Sequence, residues 1–167
     1  MWEILGGLLV GAAVSGIVPL VNAELLVIGA AVAVPDVGLP AVAAVTGVAA
    51  LGQMSTKTLL FGLARWAPSK LPARARARLD RAVGAVSRRD GAAGSLVFTS
   101  ATLGLPPFYG VSLACGALRM RLETFLVAGG TGRLVRFGVL AWIAHAVGAE
   151  SARRLAEHVV ASLVAGV

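Results

Sequence analysis

The stretch "AAGSLVFTSATLGLPPFYGVSLACGAL", residues 92–118, decides how the rest of the chain is arranged. It contains twenty-seven residues without a charge, and Pro106 and Pro107 stand near its middle. A single membrane-spanning helix needs about 20 apolar residues, and a pair with a turn needs about twice as many, so this length suits neither. A proline pair is typical of a turn. We therefore predict a re-entrant hairpin, in which two short helical limbs enter and leave on the same face of a membrane.

The N-terminal region has a similar length. Residues 4–34 contain a single ionisable group, Glu24, and turn-forming residues lie close to it. The sequence therefore predicts a first re-entrant hairpin over residues 3–37. No Lys or Arg precedes this apolar run, which argues against a cleaved secretory signal. The predicted hairpin tips are Pro19 and Asn22 in the first hairpin and Pro106 and Pro107 in the second.

The composition predicts an integral membrane protein. Of the 167 residues, 57% are hydrophobic and 14% are charged, whereas a soluble domain carries about 25% charged residues. Two further apolar stretches, at residues 38–64 and 119–148, have the length of spanning helices. A basic cytoplasmic loop or amphipathic helix at residues 65–91 separates the two halves. An amphipathic tail at residues 149–167 follows, and it either lies on the membrane or inserts into it.

Most of the positive charge falls in one loop. The net charge is +7, and eight of the fifteen Lys and Arg residues lie between Arg65 and Arg89. This clustering is typical of a cytoplasmic loop beside membrane spans rather than of a nucleic-acid interface. We expect no nucleic-acid partner. We expect a multi-pass protein of the cell membrane (inner or plasma membrane), with residues 65–91 in the cytoplasm.

The charges that follow the second hairpin indicate its orientation. If residues 92–118 crossed the membrane, Arg119 and Arg121 would lie opposite the basic loop, whereas a re-entrant hairpin keeps both clusters in the cytoplasm. The two hairpins then enter from opposite faces, as in transporters built from inverted repeats. The predicted fold is an all-α integral membrane protein. It is an inverted repeat of a re-entrant helical hairpin plus a transmembrane helix, with peripheral amphipathic helices. The alternative is four or more ordinary spanning helices, one of them kinked at the proline pair.

Four ionisable residues fall in the predicted membrane zone: Glu24, Lys57, Arg133 and Arg136. An unpaired charge there costs about 2.5–3.5 kcal/mol or more, so these groups must face water, one another or a charged ligand. Three cations against one carboxylate form a net positive pocket, which suits the phosphate of a lipid head group. The predicted phosphate-binding residues are Arg136, Arg133, Lys57 and Tyr109, and Glu24 is the predicted proton-coupling residue.

Structural roles are the alternatives for these residues. Glu24 is also suited to capping a hairpin limb or to pairing with an arginine, and Arg136 to binding a hairpin carbonyl. Lys57 and Arg133 are long enough to extend towards an interface. We expect no enzyme activity, no cofactor and no metal site, because the sequence shows no nucleophile motif and no paired carboxylates.

Four segments carry a resemblance to a known family. They are "PLVNAELLVIGAA" (19–31), "LGQMSTKTLLFGLAR" (51–65), "PPFYGVSLACGALRM" (106–120) and "GRLVRF" (132–137). In this order they resemble the entry hairpin, the glycine-rich span, the second hairpin with its turn, and the Gly-[Lys/Arg]-x-x-Arg-aromatic pattern of the DedA superfamily. This is the VTT-domain (SNARE-associated Golgi protein) superfamily, and the last pattern is that of its short YqaA-like branch.

The resemblance implies two opposed re-entrant hairpins and a role in moving lipids. Bacterial members translocate carriers such as undecaprenyl phosphate, and eukaryotic relatives scramble phospholipids. The best-studied bacterial members have an arginine just after the second-hairpin prolines, where this chain has Phe108, Tyr109 and Gly110. Arg133 and Arg136 would then supply that positive charge.

The function predicted from these features is transport of an anionic lipid or a lipid-phosphate carrier across the bilayer, with proton coupling as an option. The expected partner is a membrane lipid with an anionic head group, and a homo-oligomer is compatible with the glycine-rich faces. Two alternatives remain open: a small-molecule or anion exporter, and a non-transporting membrane-protein assembly factor.

Overall fold

A computed structural model describes residues 1–18, 21–34, 38–66 and 92–165, with side chains to residue 151 apart from those of residues 92 and 149. These residues form α-helices and connecting turns, with no strand among them, which confirms the all-α class. The helices are α1 (Trp2–Ser15), α2 (Ala23–Ala33), α3 (Leu39–Trp66), α4 (Ala92–Leu103), α5 (Phe108–Ala117) and α6 (Leu122–Ala165). Of the predicted loop at residues 65–91, Arg65 and Trp66 belong to α3, and residues 67–91 lie outside the described residues.

The helices fall into two length classes. Helix α3 and the Leu122–Gly148 part of α6 are each long and apolar enough to cross a membrane. Helices α1, α2, α4 and α5 contain 10 to 14 residues. At about 1.5 Å per residue, even the longest of them measures about 21 Å. The hydrocarbon layer is about 30 Å thick, so no short helix spans it alone.

The two long helices pack antiparallel. The ring of Phe61 in α3 stacks on Phe125 in α6, with ring centroids 4.8 Å apart. Towards the other end of the pair, Thr46 lies beside Gly138. A later residue of α3 therefore meets an earlier residue of α6. This pair forms the centre of the molecule, and the short helices pack at its two ends.

The first short helix of each hairpin runs along one long helix in the same direction. In α3, Gly52 lies against the carbonyl of Leu9, and the hydroxyl of Thr56 donates a 2.8 Å hydrogen bond to the carbonyl of Ala13. Helix α1 thus begins near the start of α3 and ends beyond its middle. Helix α2 turns back and packs mainly on α6.

The second hairpin repeats these contacts on the other long helix. In α6, Gly132 lies against the carbonyl of Phe98, and the guanidinium of Arg136 donates a 2.9 Å hydrogen bond to the carbonyl of Thr102. Helix α4 thus begins near the start of α6. Helix α5 packs on α3, where Gly116 lies against the carbonyl of Phe61.

Local sequence explains how the hairpin limbs begin and end. Asn22 caps α2, because its side-chain oxygen accepts hydrogen bonds from the backbone N–H groups of Glu24 and Leu25. Pro107 occupies the cap position of α5. Helix α5 ends at a turn in which the N–H of Met120 donates to the carbonyl of Cys115.

Two further predictions concern a hairpin tip and the C-terminal tail. Pro19 lies outside the described residues. The predicted tail at residues 149–167 is not a separate element, because α6 continues without a break through Gly148 to Ala165. Residues 149–165 contain neither glycine nor proline, so no helix-terminating signal occurs there.

The buried residues form two apolar clusters around the two hairpins. The first includes Leu8, Val27 and Val45, and the second includes Val97 and Phe125. Large apolar side chains also cover the outside of the long helices. Proteins in water rarely expose so much contiguous apolar surface. Examples of these exposed side chains are Leu51, Leu59, Leu63, Val127, Val139, Trp142 and Ile143.

Candidate functional site

A polar layer lies between the two apolar clusters, where the hairpin tips approach the middle of the long helices. Its ionisable members are Glu24, Lys57, Arg133 and Arg136, and Tyr109 lies at its edge. The structure therefore brings together the five residues predicted for the site. They belong to four helices that are far apart in sequence.

Arg136 joins the two hairpins. One of its terminal nitrogens pairs with the carboxylate of Glu24 in α2, and the other donates to the carbonyl of Thr102 at the end of α4. Gly104 lies directly beside this guanidinium. A Cβ atom there would lie 3.0 Å from a terminal nitrogen of Arg136, and the residue has a φ of +83°. Arg136 therefore acts as a clamp on the hairpin tips.

Lys57 makes a comparable set of contacts from α3. Its ammonium group donates a 2.8 Å hydrogen bond to the carbonyl of Gly16, which ends α1, and lies 5.3 Å from the centre of the Tyr109 ring. The side chain is buried. Tyr109 is half-exposed, so its ring closes one side of the layer. Lys57 thus also contacts both hairpins.

Arg133, like Lys57, is a cation of the layer that forms no salt bridge with a described carboxylate. Arg133 is 8% exposed, and its guanidinium lies over the ring of Phe108 at 4.8 Å and over that of Phe137 at 5.6 Å. Its Nε atom is buried without a hydrogen-bond partner. Among the described residues no carboxylate forms a salt bridge with Arg133. Ring faces stabilise a cation by about 0.5–2 kcal/mol, whereas removing one partner of a buried ion pair costs about 3–5 kcal/mol.

The charge of the layer is positive. Lys57, Arg133 and Arg136 carry three positive charges, and Glu24 supplies the one negative charge that the described part of the layer contains. Because Glu24 is already paired with Arg136, the excess positive charge lies at Arg133 and Lys57. This arrangement is able to bind an anion with two oxygens, since a guanidinium presents donors in a planar fork.

The predicted tip residues that the structure describes, Asn22, Pro106 and Pro107, shape the backbone at the tips. Pro106 follows a cis peptide bond, and its carbonyl accepts a hydrogen bond from the hydroxyl of Ser100. Pro107 precedes α5 and Asn22 caps α2.

Several uncharged residues of the layer were not predicted from the sequence. Gln53 is buried and donates to the hydroxyl of Ser15, while its side-chain carbonyl has no hydrogen-bond partner. Thr56 binds the end of α1. Gln53, Thr56 and Lys57 follow helical spacing in an otherwise apolar span, and this polar stripe is the sequence signal that was available.

No group of three His, Cys, Asp or Glu residues lies together within residues 1–18, 21–34, 38–66 and 92–151. The single cysteine, Cys115, is buried in the second apolar cluster.

Comparison with known proteins does not identify the family. No protein-family model, curated protein or solved structure matches the chain. The resemblance to the DedA superfamily stays a prediction from the motifs.

Proposed function

We propose that the chain is a multi-pass membrane protein built as an inverted repeat of two re-entrant hairpins, each followed by a spanning helix. The equal register of the two hairpin contacts supports this. Gly52 and Thr56 in α3 meet carbonyls four residues apart in α1, and Gly132 and Arg136 in α6 meet carbonyls four residues apart in α4. Because α3 and α6 are antiparallel, the two hairpins approach from opposite ends.

The two clamps support the same repeat. Lys57 binds the end of α1 in its own half and contacts Tyr109, the second residue of α5 in the other half. Arg136 binds the end of α4 in its own half and pairs with Glu24, the second residue of α2 in the other half. Each long helix thus uses one cation to contact both hairpins.

The proposed function is the movement of an anionic lipid head group across the bilayer. The observation that carries it is the buried guanidinium of Arg133, which lies over two ring faces and forms no salt bridge with a carboxylate of the described residues. A buried cation of this kind is costly in hydrocarbon unless an anion neutralises it. The ligand must therefore be an anion, and it must reach a site surrounded by hydrocarbon. A lipid phosphate meets both requirements, because its head group is anionic and its chains remain in the apolar surroundings.

In this mechanism Arg133 and Lys57 bind the phosphate, while the pair of Glu24 and Arg136 holds the hairpins together. Protonation of Glu24 removes its charge and weakens that pair, and the hairpins then separate on one side. Release of the proton restores the pair. Glu24 is the coupling group of this mechanism, and an imposed pH gradient should change the rate of transport.

Transport by the purified full-length chain in liposomes tests the proposal. The substrate is a fluorescent phosphatidylglycerol, and dithionite added outside reports the lipid that has moved outward. We expect transport by the wild-type chain and a decrease of about tenfold or more in Arg133→Gln. A charge-assisted hydrogen bond contributes about 1.5–3 kcal/mol, and 1.4 kcal/mol corresponds to a factor of ten.

A matched control removes a cation elsewhere. Arg121 is exposed and pairs with Glu123 at the surface, so Arg121→Gln should transport at the wild-type rate. Arg133→Lys keeps the charge and should retain part of the activity. Equal transport by Arg133→Gln and Arg121→Gln would contradict the proposed site. If the folded wild-type chain transports no lipid, the result would instead favour an assembly factor. If the chain transports inorganic phosphate, the result would favour an anion exporter.

A further inference from the structure

An open apolar groove lies between the two long helices. It has a volume of about 340 Å³, and its lining includes Gly47, Ala50 and Met54 from α3 and Gly130 and Leu134 from α6. This size is at the lower end for pockets that bind small molecules. The small residues form the depression, since a Cβ atom added at Gly47 or Gly130 would meet no other atom within 4 Å.

The groove adjoins the unpaired guanidinium of the polar layer. Gly130 and Leu134, which line the groove, lie three residues before and one residue after Arg133 in α6. The side chain of Met54 forms part of the lining, and its terminal carbon would lie 3.0 Å from a Cβ atom added at Gly129. The ring of Phe108 would lie 3.0 Å from the same added Cβ atom, and the guanidinium of Arg133 lies over the face of this ring.

We infer that this groove binds one hydrocarbon chain of the lipid whose head group is held by Arg133 and Lys57. The inference rests on the proposed function and adds where the lipid lies. An anionic head group fits the excess positive charge, and a single chain fits an apolar depression that opens beside it. Met54 forms the boundary between the two parts. Its flexible side chain is suited to moving aside when a chain enters.

A photo-crosslinking experiment tests the groove directly. The full-length protein is placed in phosphatidylcholine vesicles that contain phosphatidylglycerol with a diazirine on one acyl chain. A parallel sample contains a diacylglycerol with the same chains and no phosphate. We expect the charged lipid to label residues of the groove about tenfold more than the uncharged one, because one charge-assisted contact has about that effect. Mass spectrometry of the peptides locates the label.

Two leucine variants provide the matched comparison. Gly130→Leu fills the groove and should abolish labelling by phosphatidylglycerol there. Gly62→Leu adds the same side chain to an exposed position of α3 where a Cβ atom also meets nothing, so it should leave the labelling unchanged. Arg133→Gln should reduce labelling by phosphatidylglycerol to the diacylglycerol level.

Three outcomes would overturn the inference. Equal labelling by both lipids would mean that ordinary surrounding lipid occupies the groove. Labelling by the charged lipid elsewhere would place its chain on another surface. A disulfide-linked dimer of Gly130→Cys, made with Cys115→Ala, would place a second copy of the chain in the groove. Crosslinking requires binding and not movement. Selective labelling of the groove without lipid transport would therefore refute only the proposed function. Lipid transport without labelling of the groove would refute only this inference.

Discussion

At the scale of single residues, Arg133 and Arg136 of α6 share a helix face and have different partners. Arg136 pairs with Glu24 and binds the carbonyl of Thr102, so its charge is neutralised and it joins the hairpins. Arg133 lies one helical turn earlier, against aromatic rings. The partners differ because of the two positions along α6. Of the two arginines, Arg136 is the one that contacts Thr102 at one hairpin tip and Glu24 at the other. Arg136 is therefore a structural residue first, and Arg133 is the better candidate for binding an anion.

A double-mutant cycle on Glu24 and Arg136 tests the clamp. We expect Glu24→Gln and Arg136→Gln each to lower the free energy of unfolding in detergent, and the double variant to lower it by less than the sum. Residues in direct contact show interaction energies of about 0.5–3 kcal/mol. Additive losses would contradict a stabilising pair. The exposed pair of Arg121 and Glu123 is the control, and its cycle should give a value near zero.

The charged residues of the site were predictable from the sequence and their partners were not. A charge in an apolar stretch must have a partner. For this reason the sequence predicts that Glu24, Lys57, Arg133 and Arg136 belong to one site. However, 112 residues separate Glu24 from Arg136, and no local pattern connects them. Gln53 carries no charge and its partner lies 38 residues away, so its place in the layer depends on how α1 packs.

At the scale of helices, glycine determines how closely the short limbs approach the long helices. A Cβ atom at Gly52 would lie 2.5 Å from the carbonyl of Leu9 and 3.0 Å from the Cβ of Ala12. A Cβ atom at Gly132 would lie 2.7 Å from the Cβ of Ala101. Apolar burial between helices contributes little inside a membrane, so this close contact is what holds them together.

Alanine at these glycines should therefore separate the hairpins from the long helices. We expect Gly52→Ala and Gly132→Ala each to lower the free energy of unfolding by about 1–3 kcal/mol, the usual cost of overpacking. Gly62→Ala meets open space and should be neutral or slightly stabilising, because alanine favours a helix by about 1 kcal/mol over glycine. Unfolding in detergent with increasing dodecyl sulfate measures all three. Equal stability of the three variants would contradict the role of these contacts.

Helix existence was easier to predict than helix ends. The stretch 92–118 was too short for two spans, and the structure divides it at Gly104 to Pro107 into α4 and α5, as the proline pair indicated. The end of α6 was not predictable from hydropathy, since charges after residue 148 end an apolar run without ending a helix. Apolar length measures what fits in a membrane, and backbone breakers determine where a helix stops.

At the scale of the whole molecule, the proposed inverted repeat predicts which chain segments share a face of the membrane. The start of α1 and the start of α3 lie at one end of the antiparallel pair. The end of α3 and the turn before α6 lie at the other, where Arg65 donates a 2.8 Å hydrogen bond to the carbonyl of Met120. Ordinary spanning helices would instead place the two ends of each hairpin on opposite faces.

Single cysteines introduced into a Cys115→Ala background distinguish these arrangements. We expect a membrane-impermeant maleimide to label Trp2→Cys and Leu39→Cys from outside intact cells, because both positions are exposed at one end. Trp66→Cys and Leu118→Cys, exposed at the other end, should react only after the membrane is opened, because the positive-inside rule predicts that the basic residues 65–91 lie in the cytoplasm. If Trp2→Cys and Leu39→Cys react from opposite faces of the membrane, the first hairpin crosses the membrane. If Trp66→Cys and Leu118→Cys react from opposite faces, the second hairpin crosses it. Either result would separate Arg133 from the head groups that it is proposed to bind, because the hairpin tips would no longer meet at the level of the polar layer.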